Sequence, residues 1–206
     1  TIYTCASCGE TETRLTAADS SHCPSEAFHD LDCTRWYHEG VDFVLRTGIM
    51  KGVGVDRFLP NGTLTRGQMV TVLYRMADEP ETAETTPFTD VNMDRYYGNA
   101  IAWAAENGIA KGVTDTRFAP DAAVTREQMV TFLYRYAKAS GADVSKQADL
   151  SQYRDVKQVS EYAEEAMAWA VGSGILQGME QNLLAPRGTA TRAQAAAILM
   201  RYSELA

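Results

Sequence analysis

The sequence predicts an all-α chain of three tandem helix–loop–helix units, preceded by a short cysteine-containing segment, and three observations lead there. The first is an internal repeat. Gly48, Gly52, Pro60, Thr65 and Arg66 recur 60 residues on as Gly108, Gly112, Pro120, Thr125 and Arg126, and a further 66 on as Gly174, Gly178, Pro186, Thr191 and Arg192. The second is apolar spacing of helical period within each unit. The third is composition: 206 residues, 45% hydrophobic and 22% charged, with 15 Gly and 6 Pro, is globular and long enough to build a core without metal or disulfide. One helix pair cannot bury its own apolar faces, so the three pairs must share one core.

The units run over residues 28–80, 88–138 and 153–204, after the segment 1–27. Each opens on an aromatic-x-Asp stretch: Phe28-His29-Asp30-Leu31, Phe88-Thr89-Asp90-Val91 and Tyr153-Arg154-Asp155-Val156. There the second offset is 65, so the third unit carries one inserted residue before Tyr162, the counterpart of Trp36 and Tyr96. First helices are expected over residues 36–46, 96–106 and 162–171, with Val41, Val44 and Leu45 on one face, then Ile101, Trp103 and Ala104, then Met167, Trp169 and Ala170. Gly48, Gly108 and Gly174 are placed to stop them. Second helices start at Thr65, Thr125 and Thr191, where Met69, Val72, Leu73 and Met76 match Met129, Phe132, Leu133 and Tyr136. Residues 78–87 and 139–151 are polar and read as linkers.

With 19 Lys+Arg against 27 Asp+Glu, the net charge of −8 gives no field to gather nucleic acid or an anionic membrane. No run of 18 apolar residues occurs, and the start Thr1-Ile2-Tyr3-Thr4-Cys5 has neither the basic nor the apolar region of a signal peptide. No membrane insertion is expected, and the chain reads as a mature piece of something longer.

The Thr-Arg-x-Gln helix starts carry the most chemistry. Thr65 with Gln68, Thr125 with Gln128 and Thr191 with Gln194 fit capping boxes, threonine at the N-cap and glutamine three residues on. The arginine between them opposes the helix dipole at a cost of about 0.3–1 kcal/mol, and it does so three times. Two readings resolve this. Arg66, Arg126 and Arg192 join free helix-start N–H groups in clamping an anionic ligand, or they pair internally with Asp30, Asp90 or Asp155 of a neighbouring unit. Those aspartates are themselves candidate caps for the turn into each first helix. Trp36, Tyr96 and Tyr162 are either packing residues or exposed rings on which a sugar face stacks.

These units resemble S-layer homology domains. The residues that carry the likeness are FTDV from Phe88, the aromatic helix starts RWYHEGVDFV and RYYGNAIAWA, the loops GIMKG, GIAKG and GILQG, the turns RFLP and RFAP, and the Thr-Arg starts. The resemblance implies a pseudo-threefold trimer of helical units with a central bundle and prongs. It further implies a non-catalytic, extracellular anchoring module whose grooves bind secondary cell wall polysaccharide, often through an anionic pyruvylated sugar, and so hold a larger surface protein on the wall. On that reading Arg66, Arg126 and Arg192 clamp the anion, Trp36, Tyr96 and Tyr162 carry the sugar, and Asp30, Asp90 and Asp155 orient the site. No cofactor is implied. The sequence departs from the family in having Gln68, Gln128 and Gln194 where Glu is common, and Leu183-Leu184 where the other units have Arg-Phe. The alternative is a helical protein-interaction module in which the arginines are structural.

Cys5, Cys8, Cys23 and Cys33 are the only cysteines. They could form disulfides, the simpler expectation outside the cell, or a zinc site begun by Cys5-x-x-Cys8. A thioredoxin-like role is disfavoured because no βαβ pattern surrounds them. Asp90-x-Asn92-x-Asp94 begins like a calcium loop, but Arg95 and Ile101 stand where an EF-hand needs Gly and Glu. His22, His29 and His38 have no counterparts in the later units, and Glu39, Glu106 and Glu165 lie on first helices as a solvated face rather than a glycosidase pair. A wall-active hydrolase is therefore not expected.

Overall fold

Helix starts and stops fall on the repeated residues. The computed structural model describes residues 2–4, 11–13 and 23–205. Two helices per unit follow the expectation: α1 (His38–Arg46) and α2 (Arg66–Met76), α3 (Gly98–Glu106) and α4 (Arg126–Ala139), α5 (Glu164–Gly172) and α6 (Arg192–Ser203). The first helix of each unit begins two residues later than the periodicity predicts, because Trp36 and Tyr96 belong to a preceding turn and Tyr162 to a short 3-10 helix, Glu161–Ala163. Gly48, Gly108 and Gly174 end these helices with φ of 74°, 68° and 76°, a left-handed conformation open to glycine. In all three second helices the threonine hydroxyl accepts from the glutamine N–H and the glutamine side chain accepts from the threonine N–H. The N-terminal segment adds one feature to the all-helical plan. Strands β1 (Ile2–Thr4) and β2 (Thr11–Thr13), rich in β-branched residues, pair antiparallel with Ile2 opposite Thr13.

A single core gathers side chains from every unit, among them Val44, Leu73, Ile101, Leu133, Met167 and Leu199. Packing runs in a closed sequence: α2 on α3, α4 on α5, and α6 back on α1. Each second helix thus buries its apolar face against the first helix of the next unit, which is why no pair stands alone. Backbone bonds follow the same order. The first two N–H groups of α2 donate to Ala122 and Pro120 carbonyls, those of α4 to Gly188 and Pro186, and those of α6 to Gly62 and Pro60. The helix starts are therefore anchored in the Pro-containing turn of the following unit. None of the helices among the described residues is long and apolar enough to cross a membrane.

Candidate functional site

The three arginines occupy the first position of each second helix and point into the neighbouring unit. Arg66 Nε donates to Phe118 O at 2.9 Å and Nη2 to Lys111 O at 3.0 Å. Arg126 makes the same pair to Leu184 O and Gln177 O, at 2.9 and 3.4 Å, and Arg192 to Phe58 O and Lys51 O, at 2.7 and 2.6 Å. Only 4%, 4% and 6% of these residues is exposed. The cation also lies over a ring in two cases, Arg66 at 4.6 Å from the Phe118 centroid and Arg192 at 4.5 Å from Phe58. The picture of free helix-start amides converging with a guanidinium on a ligand needs correction, since the first two amides of each helix and two guanidinium nitrogens already hold backbone carbonyls. The internal alternative is corrected in its partner: carbonyls, not aspartates, accept these bonds. The aspartates contribute at longer range, Asp90 to Arg66, Asp155 to Arg126 and Asp30 to Arg192.

Asp30, Asp90 and Asp155 are turn clamps. Asp30 accepts from Phe58 N and Leu59 N, both at 2.8 Å. Asp90 accepts from Phe118 N and Ala119 N, and Asp155 from Leu184 N and Ala185 N. The clamp holds residues Leu59, Ala119 and Ala185 at positive φ, just before the proline whose carbonyl receives the next helix. The capping role expected for the start of the first helix is replaced by this one, 28 to 30 residues along the chain. Burial alone would raise the Asp30 and Asp90 pKa, but the two backbone N–H donors outweigh it and hold both below the ordinary value. A lowered folded-state pKa adds stability that is present above the unfolded value and lost as pH falls through the folded one. Urea midpoints are therefore expected to fall below about pH 4, and more steeply in the native chain than in Asp30→Asn/Asp90→Asn. Parallel acid limbs would contradict the clamp.

The equivalent aromatics stand out into solvent: Trp36 is 62% exposed, Tyr96 55% and Tyr162 51%. Two of them lean edge-on against a buried neighbour, Trp36 on Tyr37 at 5.6 Å between centroids and Tyr96 on Tyr97 at 5.1 Å, which fixes the ring without covering it. Trp36 forms one wall of a groove of about 740 Å³ between the first and third units. Its other walls include Arg126, Gln177, Gln194, Arg201 and Glu180. All three units contribute to it: the indole from the first, Arg126 from the second, and α6 with its preceding loop from the third. An exposed indole beside two guanidinium groups and two carboxamides is chemistry for a polar, ring-shaped anion.

The surroundings of Tyr162 differ. There Glu127, the second residue of α4, is buried and accepts from Ser160 N at 3.0 Å, Ser160 Oγ at 2.8 Å and Tyr162 Oη at 3.0 Å. Its counterparts Gly67 and Ala193 carry no carboxylate. The Arg66 charge also acts on Tyr162. A protein carboxylate thus bonds the aromatic side chain here, whereas alanine, Ala193, is its counterpart in the helix packed against the first unit. Burial first, then the Glu127 charge, pushes the Tyr162 pKa up to about 12. In Glu127→Gln the Tyr162 ring should titrate closer to the ordinary tyrosine range near 10, read by NMR of ring-labelled tyrosine. No movement would place Glu127 elsewhere.

Sequence reasoning missed Arg75, Arg135 and Arg201, although they recur at the same offsets as the Thr-Arg starts. Arg75 donates to Ile49 O and Arg201 to Ile175 O, each bracing its own unit, and Arg201 also lines the Trp36 groove. Gln68, Gln128 and Gln194 serve the capping boxes, with Gln194 facing the groove as well. Cys5 and Cys8 lie outside the described residues. Cys23 and Cys33 are adjacent, their sulfurs 3.8 Å apart.

Fold and site together define a helical repeat module with a groove lined by residues of all three units. The S-layer homology domain family profile matches residues 28–70, 87–130 and 152–196, more than half of the chain, and the chain belongs to that family. It is similar to a surface-layer 125 kDa protein of Lysinibacillus sphaericus, 31% identical over 81% of this chain and 14% of that protein. It also resembles Exoglucanase XynX of Acetivibrio thermocellus, at 29% over 85% of this chain and 16% of the relative, and an amylopullulanase of Thermoanaerobacterium thermosulfurigenes, at 29% over 84% and 9%. The chain therefore spans less than a fifth of each of these three relatives.

Proposed function

We propose that the chain is a non-catalytic anchoring module that holds a larger surface protein on the cell envelope by binding an anionic secondary wall polysaccharide. The observation that carries this is the Trp36 groove, where an exposed indole faces Arg126 and Arg201. A pyruvylated sugar fits that chemistry: its ring offers C–H groups to the indole and its carboxylate a partner for guanidinium. The surface-layer relative supports the location, and the enzyme relatives support the idea that such a module is attached to unrelated cargo. Beside Tyr162 the Glu127 carboxylate competes with any anion, so the three aromatic positions are not equivalent.

One observation favours the alternative of a protein-interaction module: the arginines at the helix starts are tied to backbone carbonyls and hold the units together. Co-sedimentation with wall sacculi, before and after chemical stripping of the secondary polysaccharide, separates the two. Binding to intact walls that disappears on stripping is expected. Equal binding to stripped walls, or none to intact walls, would move the reading to the protein-interaction module.

A further inference from the structure

A second cluster of reactive side chains lies at the entry to the first unit, away from the groove. Cys23 precedes the short 3-10 helix Pro24–Ala27, Cys33 lies in the turn before α1, and His38 and Asp42 stand one turn apart on α1. Cys23, His38 and Asp42 are buried and Cys33 half-buried. The Cys23 and Cys33 sulfurs and a His38 ring nitrogen all lie within 4.8 Å of one another. His38 Nε2 is 2.9 Å from Cys23 Sγ and 3.3 Å from Asp42 Oδ2, which is itself 3.0 Å from Cys23 Sγ.

This arrangement is not a catalytic relay. In a Cys-His-Asp relay the acid would hold one ring nitrogen and the thiol the other. Here thiol and carboxylate both approach Nε2, so no relay runs through the ring. The sulfur spacing fits a metal: two thiolates about 2.3 Å from a tetrahedral zinc lie about 3.8 Å apart, while a disulfide brings them to about 2.05 Å. Nor does the shared fold require these residues. At the positions of Cys33, His38 and Asp42 the second unit carries Met93, Gly98 and Ala102 and packs the same helix pair without them. The buried Asp42 carboxylate has the Arg46 guanidinium 3.9 Å from Oδ2, so the aspartate is held in place beside the cluster.

We propose that Cys23, Cys33 and His38 bind a zinc ion, with Asp42 Oδ2 beside them as the carboxylate that orients Cys23 and His38. Asp42 is held for this role by Ser25, whose backbone N–H (3.1 Å) and hydroxyl both donate to Oδ1, leaving Oδ2 turned to the cluster. Zinc entry would expel the two thiol protons and take the neutral imidazole. The ion would pin the segment that precedes the first unit onto α1. Its role is structural and separate from wall binding.

The test uses the whole chain, reduced under nitrogen and titrated with zinc against a competing chelator, and with cobalt in parallel. One zinc per chain and a thiolate-to-cobalt charge-transfer band are expected. Cys23→Ser and His38→Ala should each weaken zinc by at least about 100-fold, beyond the 10–100-fold typical of residues that only support ligands. His38→Cys should largely retain the metal, because it restores a ligand there. Absence of zinc binding overturns the proposal, as does undiminished affinity in His38→Ala or equal loss in His38→Ala and His38→Cys. A Cys23–Cys33 disulfide in chain isolated without reductant, found by differential alkylation in denaturant, also overturns it.

Discussion

Alanine at Arg192 is expected to destabilise the chain most, by about 3–4 kcal/mol, alanine at Arg66 by nearly as much, and alanine at Arg126 by about 2. The order follows from geometry. Arg192 makes the shortest pair of bonds, 2.7 and 2.6 Å, and covers Phe58. Arg66 has bonds of 2.9 and 3.0 Å and covers Phe118. Arg126 stretches to 3.4 Å at one of its two carbonyls, and Leu184 replaces the ring. Truncation removes a charged donor from buried carbonyls and leaves them unpaired, which costs more than the bond itself contributes in net terms. Urea denaturation of the three single variants measures this, and Arg126→Ala as damaging as Arg192→Ala would refute it. An arginine variant that fails to bind walls thus reports on folding as much as on the ligand.

Trp36→Ala is the cleaner probe of binding. An indole this exposed contributes little to the core, so the melting temperature should move by no more than a surface substitution moves it, the equivalent of about 0.5 kcal/mol. Affinity for purified wall polysaccharide should fall at least tenfold, the equivalent of about 1.4 kcal/mol or more. Tyr162→Ala should change binding far less, because the Glu127 carboxylate already bonds that side chain. Isothermal titration of the two variants against the same glycan decides between them. Unchanged affinity in Trp36→Ala would remove the groove from the proposed site.

Much of the fold was legible because the repeat shows each local signal three times. The capping glutamines, the stopping glycines and the apolar faces are local rules, each acting within a turn or two of chain. The site was less legible, because its partners are remote in sequence. Arg192 bonds to Lys51 and Asp30 to Phe58, and no local rule names a backbone carbonyl or amide as the partner. Glu127 belongs to no sequence motif, and only the approach of Ser160 and Tyr162 gives it partners. His38 and Asp42 gave no motif of their own, and only the packing of α1 against the turn at Cys23 brought them to sulfur.

The sequence by itself determined three helical units, the starts of their helices to within about two residues, and a family membership, because caps, stops and periodicity are properties of short stretches. It also marked the repeated arginines and aromatics. Only the tertiary structure decided what each does, since burial and hydrogen-bond partners arise where distant segments meet. The three arginines became ties between units, the aspartates became turn clamps, and the open groove fell at Trp36. The reason is physical: a buried guanidinium must satisfy its donors with the acceptors within reach, and closing the chain onto itself put backbone carbonyls there while the aspartates were engaged by backbone N–H groups.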